Sequence, residues 1–311
     1  MSTTLDTRIP DVDAHIQRVI DEASAQRLPG LFADDRIDAM YRLHNRNGIS
    51  VIAVRTTQLT EEYLLQIMSF RFGQYLAAGY LNTELIHDQR LKNEPLSGVS
   101  DGDIHVIAAS AETGEILCYG AIRELPEVPA DARMRDSSRP LFRNEKLFGR
   151  SAFADLAVFP NLAVAHVREL GPFVKNQQKG VHDELALRAP IETFVAGTRM
   201  FLGALRSEIQ AVIGGLEEAV VKRNMAYFHW PVLVVHADAS SARVDPFLLP
   251  YFQNHTIYPF AMSTADLPVS VPRLAAIEQA LALPGRAGVV ALLALKAGSR
   301  TPHSRFSHAR E

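Results

Sequence analysis

The chain has 311 residues, 47% of them apolar, and its 32 basic side chains nearly balance 35 acidic ones for a net charge of -3. That composition describes a globular protein with material for one large core or two modest ones, and it supplies no positive surplus with which to grip nucleic acid or an anionic membrane. A single cysteine, Cys118, rules out an intrachain disulfide; no apolar run reaches the ~18 residues of a membrane-crossing helix, and with no apolar leader at the start the expected compartment is the cytoplasm.

Residues 1–10 read as a polar leader. Val12, Ile16, Val19, Ile20 and Ala23 fall at helical spacing until Pro29-Gly30 ends the run, so residues 1–47 are expected to form an N-terminal helical extension. Residues 49–55 are apolar and β-branched, the first core strand. Thr60 followed by Glu61 and Glu62 is an N-cap with acids in the first turn, opening a helix that runs to about Tyr80 and carries Arg71 and Tyr75 one turn apart on one face. Residues 82–103, which include Glu84 and Asp88, are long, polar and rich in Gly, Pro and Ser, as suits a mobile flap.

Two β-rich runs, 104–111 and 116–125, are joined by a short turn containing Gly114 and read as a hairpin. Residues 126–150 are rich in proline and charge; Arg133, Arg135, Arg139 and Arg143 there form either a solvated loop or a phosphate-binding patch. Residues 151–159 are expected to be extended and 165–174 to be a strand. Gln177 to Gly180 then lead into a helical pattern whose Pro190 implies a kink or a late start. Further on, 209–213 reads as a strand bounded by Gly214-Gly215, 216–225 as a helix, 231–236 and 256–260 as strands, 272–283 as a helix, 289–295 as a last apolar element and 299–311 as a disordered tail. Strands alternating with helices predict an α/β sandwich around a mixed sheet.

Several chemistries are missing. The histidines do not fall at metal-ligand spacing, and neither a P-loop, a Rossmann fingerprint nor a Gly-x-Ser-x-Gly elbow occurs. Cys118 lies within a core strand, where a small buried hydrophobe outweighs a nucleophile. Glu169 on the later strand becomes a proton acceptor if burial raises its pKa, or else half of a structural ion pair with Arg123; Arg123 has the planar fork that grips a carboxylate. Arg71 has as its plain alternative a surface cation paired with a neighbour.

Gly120-Ala-Ile-Arg123-Glu-Leu-Pro126 at a strand end, followed by Glu169-Leu170 on a later strand, resembles the acyl-homoserine-lactone (autoinducer) synthases and the similar N-acyl amino acid synthases of the GNAT fold. The resemblance implies a GNAT-like mixed central sheet flanked by helices, with residues 48–268 as the catalytic core and 269–298 as a C-terminal helical addition. It implies an enzyme that acylates S-adenosylmethionine or a similar α-amino acid from an acyl-CoA or acyl carrier protein thioester, without a tightly bound cofactor and with an acyl carrier protein as a possible partner. On that footing Glu169 and Arg123 are catalytic, Arg71, Tyr75, Glu84 and Asp88 bind the amino acid, and Gln177 and Gly180 meet the donor's pyrophosphate.

Two departures stand out: His182 replaces a residue with almost no side chain, and Gly171-Pro172 follows the strand acid where the family has Ser-Arg, the proline removing a backbone donor. They motivate one alternative, donor-independent closure of S-adenosylmethionine to 1-aminocyclopropane-1-carboxylate; a further reading, from a different class, is a binding or regulatory module on the same scaffold that has lost catalysis.

Overall fold

In a computed structural model, residues 9–94, 96–129, 131–154, 161–180, 183–217, 225–234 and 244–298 are described. Eight strands form one sheet: β1 (Tyr41–Arg46), β2 (Ile49–Arg55), β3 (Ile104–Ser110), β4 (Ile116–Arg123), β5 (Val167–Lys175), β6 (Ala211–Glu217), β7 (Leu233–Val234) and β8 (Ile257–Ser263). Their order is β1-β2-β3-β4-β5-β6-β8-β7. Neighbours run antiparallel except β5 and β6, which are parallel. With helices on both faces, this is an α/β sandwich around a mixed sheet.

The period-two pattern of the central strands explains the layering. On β2, Ile49, Val51 and Ala53 face one core, and Ile52 and Val54 the other. The first core lies under α7 (Glu184–Leu202), α10 (Val271–Ala282) and α11 (Gly285–Gly298); the second lies under α3 (Glu61–Ala77), which packs on α1 (Ile9–Ser24). Thr60 caps α3 as its sequence predicts, accepting from the Tyr63 N–H at 3.3 Å. Gly73 lets the two helices close up, since a Cβ there would lie 2.1 Å from that of Ala23. The predicted hairpin is β3–β4, whereas Pro190 does not delay the helix: α7 starts at Glu184 behind the Asp183 cap and carries the proline inside it.

Other expectations change. Tyr41–Arg46 is an edge strand inside the stretch read as a helical extension, joined to β2 through Asn47 and Gly48 at φ 51° and 85°, the left-handed pair that a tight hairpin requires. The expected flap contains α4 (Thr83–Asp88), capped by Asn82. Ser151–Ala154 is a helical turn, α6, instead of extended chain, and 155–160 lie outside the described residues. Gly214 and Gly215 do not bound β6 but sit within it, paired with Phe260 and Pro259 of β8. Leu216 and Glu217 continue that strand where a helix was expected, and 218–224 lie outside the described residues, as do 235–243 and the tail 299–311. Ala226–Phe228 (α8) and Leu249–Asn254 (α9) are short turns.

The Arg-rich segment is not a solvated loop throughout. Arg139 and Glu145 form a fully buried bidentate pair, with Arg139 Nη1 to Glu145 Oε2 at 2.6 Å, and Glu145 also accepts the Phe142 N–H at 3.0 Å. This pair fixes the start of α5 (Arg143–Phe148) against the sheet.

One buried acid lies apart from the rest. Glu192 on α7 is fully buried, with Arg46 Nε at 3.3 Å and, among the described residues, no hydrogen-bond donor on either carboxyl oxygen. Burial raises its pKa from 4.5 to about 7, against the opposing pull of Arg46 and Arg188. A carboxyl raised in this way favours the folded state most below its unfolded pKa, and that contribution disappears as the pH climbs through the folded value. Between pH 5 and 8 the wild-type protein should therefore lose up to about 3 kcal/mol more stability than Glu192→Gln, measured by urea unfolding at both pH values; identical pH slopes would contradict it.

Candidate functional site

Arg123 closes β4 directly opposite Glu169 on β5, so both side chains leave the same face of the sheet. Two residues farther along, the register slips: Gly120 pairs with Phe173 and Ile122 with Leu170, which leaves β5 one residue longer at Gly171-Pro172. This is a β-bulge, and it accommodates a proline whose missing N–H would break a regular ladder. Gly171 is needed for close approach, because a Cβ there would lie 3.0 Å from Arg123 Nε and 3.1 Å from the Ala121 Cβ.

The two residues are buried, at 7% and 3% exposure. Glu169 nevertheless takes its hydrogen bonds from elsewhere: its Oε1 accepts from the Asn144 backbone N–H at 2.6 Å and from the Asn144 side-chain amide at 2.7 Å. Burial raises the Glu169 pKa, while Asn144, Arg123 and Arg143 pull it down. Among the described residues nothing accepts a hydrogen bond from Arg123, although its charge is felt by Arg71, Tyr75, Asp103, Tyr119 and Glu169. A buried guanidinium without an acceptor is costly.

Arg71 and Tyr75, on α3, lie within electrostatic reach of Arg123. Arg71 is buried, not a surface cation; it contacts Glu94, and its Nε has no partner. Burial raises the pKa of Tyr75, opposed by Arg71, Arg123 and Arg143, and its ring lies 5.9 Å from that of Tyr80. Arg143, exposed along much of its length, donates to the Gly98 carbonyl at 2.9 Å; loss of solvent around its head and repulsion from Arg123 and Arg71 push its pKa down to about 10. Glu84 and Asp88 are exposed on α4 and do not join this group. The acid that does is Glu94, whose type and spacing do not distinguish it from its neighbours in sequence.

Gln177 and Gly180 lie beyond the far end of β5, exposed. The Gln177 N–H donates to Gln74 Oε1 at 2.6 Å and the Gln178 N–H to Asn176 Oδ1 at 3.0 Å, so both are occupied within the chain. His182 lies outside the described residues.

Sequence reasoning also missed a buried relay. Thr56 Oγ1 donates to the Asp103 carbonyl at 3.3 Å and so accepts from His105 Nε2 at 2.9 Å, leaving His105 Nδ1 to accept from the Tyr119 hydroxyl at 2.9 Å. Burial, with Arg71 and Arg123 nearby, pushes the His105 pKa down to about 3 and keeps the ring neutral. Tyr119 in turn accepts from Arg71, so the relay holds that guanidinium in place. Such residues carry no local motif; only the alternation of β3 and β4 puts them on one face.

Behind the bulge, on the α7 side, lies a small apolar cavity of about 40 Å³, bounded by Gly120, Leu170, Phe173, Phe194, Phe201 and Trp230. Trp230 is fixed by donating to Thr198 Oγ1 at 3.0 Å. Cys118 is buried nearby in the same core, its thiol pushed up to about 12 by burial, which makes it inert as a nucleophile. Among the described residues no three His, Cys, Asp or Glu side chains could hold a metal ion, and no helix is long and apolar enough to cross a membrane.

No protein-family profile matches the chain, and no curated protein sequence does. Among solved structures it is similar to the AHL synthase LasI, at 11% identity and a TM-score of 0.44 over 70% of this chain and 90% of that one. It is also similar to FeeM, an N-acyl amino acid synthase from uncultured soil microbes, at 10% and 0.40 over 71% and 94%. A third is BjaI, a CoA-dependent acyl-homoserine lactone synthase solved with SAM and isopentyl-CoA, at 14% and 0.37 over 78% and 97%. Identities this low carry no residue roles to this chain.

The unpaired state of Arg123 is measurable. Arg123→Met should leave the ligand-free protein as stable or more stable, by on the order of 1–3 kcal/mol in chemical denaturation, while weakening binding of an α-amino acid carboxylate at least tenfold by calorimetry. A large loss of stability with binding intact would reverse the assignment.

Proposed function

We propose that the chain is a small-molecule synthase that transfers an acyl group to the amine of an α-amino acid, with S-adenosylmethionine as the candidate that the resemblance in Gly120–Pro126 and Glu169-Leu170 supplies. One observation carries this reading: a guanidinium with no acceptor among the described residues and a buried acid stand side by side on one face of the β4–β5 bulge, and an apolar cavity opens on the other. A polar head and an apolar tail would thus meet at Gly171-Pro172.

In this reading Arg123 and Arg71 hold the substrate carboxylate, and Tyr75 packs against the remainder. Glu169, whose raised pKa makes it a stronger base, takes a proton from the α-ammonium group. The freed amine attacks the thioester carbonyl, the C–N bond forms, the C–S bond breaks, and the departing thiolate takes the second proton of the nitrogen. With S-adenosylmethionine, the substrate's own carboxylate would then displace methylthioadenosine and close a lactone. The donor is an acyl-CoA or an acyl carrier protein thioester.

A second reading has its own support. The backbone donors at Gln177 and Gln178 are occupied, Pro172 has none, and the cavity has room for only a few heavy atoms. An enzyme that closes S-adenosylmethionine on itself needs no acyl donor. Incubation with S-adenosylmethionine separates the cases: methylthioadenosine released only with an acyl thioester supports acyl transfer, and release without one supports cyclisation. Release in neither mixture points to another acceptor or to a binding module without catalysis.

Glu169→Gln should lower turnover by about 10² to 10⁴ while leaving circular dichroism unchanged. In the wild type, kcat/KM should rise with pH through a midpoint above the ordinary carboxylate range, because burial holds the proton on Glu169. Full activity in the Gln variant would remove this residue from the mechanism.

A further inference from the structure

We propose that Asn144 is a positioning residue for the acid: seated in a notch left by Gly215 of β6, it engages Oε1 of Glu169 with two donors and leaves Oε2 as the atom that meets the substrate amine. The inference rests on the role just given to Glu169, and nothing in the sequence pattern marks Asn144.

Three observations support it. Both Asn144 donors, the backbone N–H at 2.6 Å and the side-chain amide at 2.7 Å, converge on the same oxygen of the carboxylate of a residue only 3% exposed. A carboxylate gripped on one oxygen by two donors cannot rotate freely, so the proton-accepting direction of the other is fixed. The amide is itself confined: a Cβ on Gly215 would lie 2.4 Å from Asn144 Oδ1, so an alanine there would displace the Asn144 side chain. The backbone donor is anchored too, because the buried Arg139–Glu145 pair holds the first turn of α5, on which Asn144 is the second residue. Gly215 within a strand is otherwise unfavourable, and this notch gives it a purpose.

Around the acid, Arg123 from β4 and Arg143 from α5 are the charged groups that act on it. Asn144 adds no charge, so its effect is separable from theirs. It stabilises the ionised form by hydrogen bonding, whereas burial opposes that form.

The test follows the carboxyl carbon of Glu169 by ¹³C NMR titration of the full chain, assigned by its loss in Glu169→Gln, beside the pH dependence of kcat/KM. Asn144→Ala keeps the backbone donor and loses the amide. It should move the Glu169 titration, and with it the acidic limb of the rate profile, to higher pH, and lower the plateau of kcat/KM about threefold to tenfold because the acid also loses its fixed direction. Gly215→Ala should shift the titration in the same direction, and the double variant should shift it no further than the larger single change. An unmoved titration in both variants, whatever the loss of rate, would overturn the proposal. If Glu169→Gln stays fully active while Asn144→Ala still moves the NMR titration, the positioning stands and the catalytic role of Glu169 falls, so the two claims fail separately.

Discussion

The candidate site depends on keeping two opposite charges adjacent without letting them satisfy each other. Arg123 and Glu169 are cross-strand partners, the geometry in which a guanidinium and a carboxylate ordinarily pair. Here the acid's hydrogen bonds come from Asn144, and no described residue accepts from the arginine. Buried charges left in this condition destabilise a fold unless something else needs them. A ligand carrying both an ammonium and a carboxylate group would complete both at once.

Everything around that pair maintains the condition. The bulge at Gly171-Pro172 bends β5 and lets the Arg123 side chain lie across a residue with no Cβ. The fully buried Arg139–Glu145 pair pins α5, so that Asn144 reaches the acid from a fixed base. On the other flank the relay from Thr56 through His105 and Tyr119 orients Arg71, and the neutral state of His105 prevents a further positive charge from entering. The opposite face of the same strands belongs to an apolar core under α7, where Phe194, Phe201 and Trp230 border the cavity. One short segment of sheet thereby separates two environments of very different polarity.

Much of the fold was legible because it is encoded locally. The alternation in β2, β3 and β4, the Thr60 cap and the Gly114 turn are properties of a few neighbouring residues each. Arg71, Tyr75, Arg123 and Glu169 came from a mixture of helical spacing and family resemblance, and Arg123 lies within electrostatic reach of the other three. What escaped notice depends on tertiary contacts. Tyr41–Arg46 is too polar to read as a strand, being an edge with half-buried side chains. Gly214-Gly215 looked like a strand boundary because glycine usually is one, whereas here Gly214 makes room for Phe260 and Gly215 for Asn144. Arg139 and Glu145 sit among prolines and other charges, and no local pattern says that two of those charges pair away from water. Glu94, rather than Glu84 or Asp88, meets Arg71 because the loop folds back upon itself, a long-range consequence invisible in a window of residues.

The most direct trial is a crystal structure with S-adenosylmethionine soaked or grown in. The account predicts the α-carboxylate on the Arg123 guanidinium, the amine within hydrogen-bond reach of Glu169 Oε2, and Asn144 still holding Oε1. A ligand seated elsewhere, with Arg123 and Glu169 closed on each other in a two-pronged ion pair, would contradict it.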